Sequence, residues 1–239
     1  MLHRLIDQYE AILFDLCDTF MFGVDRYGPE HDLAATYYEL GGNAIPHAVA
    51  DRILRQTVER ILGAYQDPAF VENFPSVREL LLQDPHVEDL PDREQGILER
   101  VIAVHETGRV PGAHAAVLRQ LARSHRLGIV SNIWSRPPVF LEQIHEAGLE
   151  NVFATKIFSS DLGVLKPCPR IFEKALEELG CEPRQTLFVG DNAVADIFGA
   201  AKVGIDGVWI NARVKSFPVD DIRPKAVIEC ITRLQEVRA

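Results

Sequence analysis

Ala11-Ile-Leu-Phe-Asp15-Leu-Cys17-Asp18-Thr19 is the stretch on which the reading of the whole chain turns. Its apolar run is too short for a helix and apolar enough for a parallel strand buried on both faces. The run stops on a carboxylate. In an open α/β sheet ligands are met at the carboxyl ends of the strands, so Asp15 stands where chemistry is expected. An Asp after an apolar run is also a common turn or cap residue. The other strand ends have to arbitrate.

Outward from this stretch the chain changes texture twice. Residues 1–10 read as a lead-in whose Leu2, Leu5 and Ile6 pack beneath the first strand. Phe20 to Gly28 reads as a glycine-punctuated turn or flap. From about Pro29 to Thr107 the pattern is helical, with spans expected over Pro29–Leu40, Pro46–Tyr65, a short helix behind the capping box Ser76-Val-Arg-Glu79, and Pro91 to the residue before Gly108. From Val110-Pro111-Gly112 onward, helices alternate with short apolar runs. Strands are expected at Leu127–Val130, Ala154–Ser159, Thr186–Gly190, Gly207–Ile210 and Ala226–Ile228. Helices are expected at Ala115–Ala122, Pro138–Ala147, Arg170–Leu179, Ala195–Val203 and the C-terminus. Such alternation predicts right-handed crossovers and a doubly wound parallel sheet, an α/β Rossmann-like core. The core is read as residues 1–21 and 110–239, and the helical insert as 22–109, placed over the carboxyl edge above Asp15 as a lid.

Composition narrows the partners. The 239 residues carry a formal charge of −10, which argues against nucleic acid and against an anionic membrane surface. No apolar run reaches membrane-spanning length, and the N-terminus lacks the apolar core of a signal peptide, so a cytoplasmic protein is expected. The four cysteines (Cys17, Cys168, Cys181, Cys230) are scattered and fit neither a zinc site nor a disulfide framework.

The strand ends then form a kit. The second strand ends in Ser131-Asn132, the loop after the third supplies Lys166, and the fourth ends in Asp191 with Asp196 beyond it. Singly each has a plain explanation as a cap, a turn or a solvated charge. Together they offer a nucleophilic carboxylate, a hydroxyl, a cation and further acids for a hard divalent ion. That set suits phosphoryl transfer, in which Mg²⁺ and a lysine neutralise the phosphate; Asp15 and Asp191 are carboxylates of the kind Mg²⁺ takes. Ser131 and nearby amides would hold the remaining phosphate oxygens.

In the order Phe14-Asp15-Leu16-Cys17-Asp18-Thr19, Val130-Ser131-Asn132, Lys166-Pro167, and Val189-Gly190-Asp191-Asn192 through Asp196-Ile-Phe-Gly199-Ala200, the chain resembles the haloacid dehalogenase superfamily. The likeness is to its phosphatase-like branch with a helical cap inserted after the first motif, and it covers nearly the whole chain. The resemblance implies that Asp15 is a nucleophile forming an aspartyl-phosphate. It implies that Ser131, Asn132 and Lys166 bind phosphate, with Ser131 and Lys166 steadying Asp15. It also implies that Mg²⁺ is held by Asp15, the main-chain carbonyl of Cys17 and Asp191, with Asp196 supporting, and that the substrate is a small phosphorylated metabolite.

One position departs from the pattern. Phosphatases of this family usually carry, two residues after the nucleophile, an Asp that protonates the leaving alcohol; here it is Cys17. A thiol is a weak donor, and losing a general acid typically costs about 10²–10⁴ in rate. Asp18, next along, is expected to point away. A metal-free dehalogenase would place Tyr at position 17, and the acids of the fourth motif argue against it. A phosphonatase would need a Schiff-base lysine in the cap, yet the first lysine of the chain is Lys156. Two readings stay open: a Mg²⁺-dependent phosphatase, slowed by Cys17, or a non-catalytic relative that binds a phospho-ligand or a partner. Arg26, Tyr27, Trp134 and Arg136 lie beside motif positions and stand as candidates for substrate contact or for packing, while His105 and His145 read as ordinary half-buried helix residues.

Overall fold

The computed structural model describes residues 4–212, 217–218 and 222–238. One sheet of parallel strands is built from β1 (Ala11–Phe14), β2 (Arg126–Ser131), β3 (Phe153–Phe158), β4 (Thr186–Gly190), β5 (Asp206–Ile210) and β6 (Ala226–Ile228), in the order β3-β2-β1-β4-β5-β6. The first strand therefore lies in the middle. Ile12 pairs with Leu127 on one side and Leu187 on the other, and the winding reverses at β1, the place where such sheets bind ligands.

Alternation along β1 explains why it has no polar face. Ile12 and Phe14 enter one buried layer with Leu118 and Phe140, while Ala11 and Leu13 enter the opposite layer with Ile171 and Phe172. The first layer is covered by α6 (Gly112–Leu121) and α7 (Pro138–Glu146), the second by α9 (Pro169–Leu179). Leu5 and Ile6 are buried beneath the sheet in a 3₁₀ turn, Leu5–Gln8; Leu2 lies outside the described residues.

Between β1 and β2 the chain is helical: α1 (Leu33–Glu39), α2 (His47–Gln66), α3 (Val77–Leu81), α4 (Pro85–Glu88) and α5 (Asp92–Glu106). This segment has its own apolar cluster, formed by Leu33, Tyr37, Ile53, Leu54, Ile61, Leu98 and Ile102, which Trp134 and Leu165 of the sheet's loops also enter. Two chain crossings join it to the sheet body, side by side. Phe22 and Arg109 exchange backbone hydrogen bonds of 2.9 and 2.8 Å, and Gly108 permits this, since a Cβ there would sit 2.3 Å from the Phe22 carbonyl oxygen. Among the described residues no helix is long and apolar enough to cross a membrane.

Several boundaries differ from expectation for local reasons. The first helix starts at Leu33 rather than Pro29, because Asp32 is its cap and accepts from the Ala35 N–H. The turn α4, not foreseen, is opened by Asp84 accepting from the His86 N–H. The third strand ends at Phe158, and Ser159 begins a short turn, α8 (Ser159–Leu162). The helix expected over Ala195–Val203 is a π-helical turn, Ala193–Phe198, followed by α10 (Gly199–Lys202). The C-terminal helix is a 3₁₀ segment, Ile231–Glu236. The Ser76–Glu79 capping box forms as read.

Candidate active site

Three elements meet at Asp15, directly past the end of β1. The Ser131 hydroxyl at the end of β2 donates to Asp15 Oδ1 at 2.9 Å, and Lys166 Nζ donates to the same oxygen at 2.6 Å. Thr19 Oγ1 reaches Oδ2 only at 3.3 Å, so Oδ2 is the freer oxygen. All four side chains are buried. Lys166 has spent its three N–H groups, on Asp15, the Val130 carbonyl at 2.9 Å and Asp196 Oδ1 at 2.7 Å. Burial would lower the Lys166 pKa, but the charges of Asp15 and Asp196 outweigh it and hold the ammonium firmly protonated. Asn132 clamps the lysine's backbone: its Oδ1 accepts from Lys166 N at 2.8 Å and its Nδ2 donates to Lys166 O at 3.3 Å.

The π-helical turn supplies the fourth corner. Asn192 caps it, accepting from the Val194 and Ala195 N–H groups, while Asp196 folds back to accept from Asn192 N at 2.8 Å. Gly190 makes room for this; a Cβ there would lie 2.3 Å from Asp196 Oδ2. Wide turns of this kind concentrate at functional sites. Asp191 is fixed from behind, its carbonyl accepting from Trp209 Nε1 at 2.8 Å.

Asp15, Asp191 and Asp196 bring carboxylate oxygens within 4.8 Å of one another. Burial, then the charges of Asp15 and Asp196, push Asp191 up to about 8. Asp196 is raised to about 6 by burial, with Lys166 opposing. Such crowding is relieved by a hard cation, and the oxygen-only donor set is the kind Mg²⁺ selects. Both oxygens of Asp196 already accept a hydrogen bond, one from Lys166 and one from Asn192 N, whereas Asp15 Oδ2 accepts only the long one from Thr19.

These residues line a cleft of about 180 Å³ together with Cys17, Asp18, Val24, Asp25, Tyr65, Glu106, Trp134, Asn192 and Ala195; Asp18 and Asp25, both exposed, mark its outer end. Cys17 is half-buried, and burial together with the charges of Asp15 and Glu106 pushes its thiol well above the usual range, so it stays protonated. Asp18, exposed to solvent, borders the cleft, and its charge helps to raise Asp25 and Asp191.

Sequence reading missed Asp25, Tyr65 and Glu106. Asp25, at a φ of 54° and solvent-exposed as a residue, is shifted upward by partial desolvation of its carboxyl and by the charge of Asp18. Glu106, buried at the end of α5, accepts from the backbone N–H groups of Trp134 and, at 2.9 Å, Ser135. Burial raises it to about 7 against those two bonds. Its signal was a carboxylate on the same helix stripe as Leu98 and Ile102. Tyr65 on α2 meets Trp134 edge-on at 6.0 Å, and Tyr27 stacks with that indole at 5.8 Å.

Of the remaining candidates, Trp134 lines the cleft. Arg26 donates to the Gly23 and Val104 carbonyls and Tyr27 to Ile102 O, both packing roles. Arg136 is exposed and lines a separate groove. His105 is fully buried, bonded to Arg26 O and Thr36, while His145 is exposed beside Glu150; neither is half-buried.

The family described as haloacid dehalogenase-like hydrolase matches residues 9–204. A glyceraldehyde 3-phosphate phosphatase of Pyrococcus abyssi is 35% identical over 142 residues, covering 57% of this chain and 58% of that protein. A pyrimidine 5′-nucleotidase of Escherichia coli is 31% identical over 131 residues, covering 54% of this chain and 56% of that one. The chain thus spans little more than half the length of the curated relatives it matches. Among solved structures, a 2-haloacid dehalogenase from Pseudomonas syringae pv. Tomato aligns with a TM-score of 0.68 at 25% identity over 95% of this chain and 97% of that one. A HAD phosphatase from Thermococcus onnurineus aligns at 0.63 and 25% over 96% and 100%.

Proposed function

The chain belongs to the haloacid dehalogenase-like hydrolase family, and from that premise we propose that it hydrolyses a small phosphate monoester, with Mg²⁺ bound and an aspartyl-phosphate formed on Asp15. The fold does not choose between dehalogenase and phosphatase chemistry, since neighbours of both kinds share it. The observation that carries the choice is the acid corner: Asp191 and Asp196 beside Asp15, with Lys166 wedged among them.

Each residue then has a part. Asp15 attacks phosphorus through its freer oxygen; the Asp15 O–P bond forms and the bond from phosphorus to the ester oxygen breaks. Ser131 and Lys166 hold Asp15 Oδ1, fixing the direction of attack. Asn132 and the backbone around Ser131 would bind the remaining phosphate oxygens. Asp15, Asp191 and the Cys17 carbonyl would hold Mg²⁺, which when bound neutralises charge on the phosphate; Asp196 positions Lys166. The departing alkoxide takes its proton from the Cys17 thiol or from solvent, both poor replacements for a carboxylic acid. Water then attacks the acyl phosphate, releasing orthophosphate and restoring Asp15. In this reading the helical segment, residues 22–109, is the cap that covers the cleft, moving about the paired crossings at Phe22 and Arg109. The four free thiols accord with a cytoplasmic protein.

Cys17 also sustains a second reading, a relative that binds its phospho-ligand without turning it over. Phosphate release from a panel of alkyl phosphates, with Mg²⁺ or with excess chelator, separates the two. Mg²⁺-dependent release that Asp15→Asn abolishes supports the hydrolase. Tight ligand binding with no release above the Asp15→Asn background supports the binder, and activity undiminished in chelator removes the metal from the proposal.

A further inference from the structure

On the reading of this cleft as a phosphoesterase site, we propose that Glu106 is a positioning residue: carried by the helical segment, it fixes the turn at Trp134 and Ser135 and, through it, the Ser131 and Asn132 side chains against Asp15 and Lys166.

The stretch Ser131-Asn132-Ile133-Trp134-Ser135 runs from the end of β2 into an irregular turn, so its backbone N–H groups need acceptors from elsewhere. The sheet body supplies one. Ser159 Oγ accepts from Ile133 N–H at 2.9 Å and donates to Ile133 O at 2.8 Å. The next two N–H groups are answered by the helical segment. Glu106 Oε1 accepts from Trp134 N–H at 2.5 Å, and Oε2 accepts from Ser135 N–H at 2.9 Å. Among the described residues these two N–H groups have no other acceptor. Trp134, Ser135 and Glu106 are all buried, so loss of the carboxylate would strand two donors away from solvent.

The residue type matters. Adjacent N–H groups need two acceptors and no donor, which a carboxylate offers and an amide does not. Burying a carboxylate is costly, and one retained on the lining of a cleft is a candidate for function.

The head of the same stretch touches the reacting groups. Ser131 donates to Asp15 Oδ1 at 2.9 Å, and Asn132 brackets the Lys166 backbone through both its N–H and its carbonyl. A shift at Trp134 is therefore passed back to Asn132 and on to Lys166, whose Nζ lies 2.6 Å from Asp15 Oδ1. The anchor itself is firm. Asp25 N–H donates to Glu106 O at 3.2 Å, Arg26 N–H donates to His105 O at 2.8 Å, and Arg109 just beyond is paired with Phe22. Glu106 thus sits at the root of the helical segment, where a hinged element moves least.

The experiment compares wild type, Glu106→Gln and Glu106→Ala in the full chain, above the pH of about 7 to which burial raises this carboxyl. It reads kcat for phosphate release from an alkyl phosphate with Mg²⁺, and residue-resolved amide hydrogen exchange. Glu106→Ala should lower kcat by roughly tenfold, less than the cost of an ångström-scale misplacement, and Glu106→Gln, which keeps one acceptor, by less again. The Lys166 N–H, held by Asn132 Oδ1, should exchange roughly tenfold faster in Glu106→Ala when measured against the amides of β1, which report global stability. A merely structural role would quicken Lys166 and β1 in step. That outcome overturns the proposal, as does a Lys166 amide left at its wild-type rate or a kcat left unchanged. If wild type turns over no ester, the hydrolase reading falls instead, and exchange alone decides: quickening of Lys166 beyond β1 upholds the tie from Glu106, and its absence overturns it.

Discussion

The inner and outer ends of the cleft are built on opposite plans. At the inner end, every polar atom of Lys166 and Asp196 is matched, and Asp15 Oδ1 is fixed by two donors. At the outer end, Asp18 and Asp25 are solvent-exposed, Cys17 takes the place of an acid, and Glu106 is held by two backbone N–H groups. A buried network that is fully satisfied is rigid, and removing one member leaves the others unpaired at high cost. A half-satisfied wall can change with little structural penalty. The inner end therefore suits an invariant chemical step, and the outer end suits the choice of what is brought to it.

If that contrast holds, damage at the inner end is all-or-nothing and damage at the outer end is graded. Asp15→Asn should show the largest effect, a fall in turnover of roughly 10⁴ or more, the scale on which a lost nucleophile is felt. A steady-state phosphate assay checks this; residual activity within tenfold of wild type would move the nucleophile elsewhere. Asp191→Ala should lower Mg²⁺-dependent turnover by about 10²–10³. It should also remove the rise in Tm that saturating Mg²⁺ gives the wild type, about 2–3 kcal/mol of stabilisation at a hundredfold excess over Kd. If differential scanning shows the full Mg²⁺ shift in the variant, the ion sits elsewhere.

Cys17→Asp tests the join between the two ends. It adds a carboxyl group and keeps the backbone carbonyl, so turnover of alkyl phosphates should rise by about 10–10³, with aryl phosphates gaining less because their leaving groups need little protonation. No gain on either class, with Mg²⁺ still bound, would place the deficit in the outer wall and favour the binding reading.

The smallest effect belongs to Glu106 and is one of pH. Burial raises this carboxyl from 4.5 to about 7, so between those values the folded protein holds a proton that the unfolded chain has released. The contribution is fully present below pH 4.5 and is lost as pH rises through about 7. Glu106→Gln cannot titrate. Its Tm should therefore fall less than that of wild type across this window, and identical slopes in thermal melts would show that Glu106 is not the group responsible.

The two ends also differ in how readable they were. Asp15, Ser131 and Asp191 could be placed from sequence because an apolar run that ends on a polar residue marks a strand end, and a doubly wound sheet gathers strand ends at one edge. Lys166 followed from its loop and the motif order. Asp25 and Glu106 have no such frame. Each is an ordinary acid until the pairing of Phe22 with Arg109 carries the start and the end of the helical segment to the same side of the cleft. At Asp18 a φ of 55° turns the backbone off the regular path, which strand periodicity does not anticipate.

By itself the sequence determined the parallel sheet, the helical segment between its first two strands, and the kit of groups at the strand ends, because apolar periodicity and caps are local properties. Only the tertiary structure decided that Asp196 spends both its oxygens on neighbours, beside a π-helical turn and a glycine at position 190, and that Asp25, Tyr65 and Glu106 join the lining of the cleft. Those outcomes depend on which distant backbones approach one another, and local pattern carries no record of that.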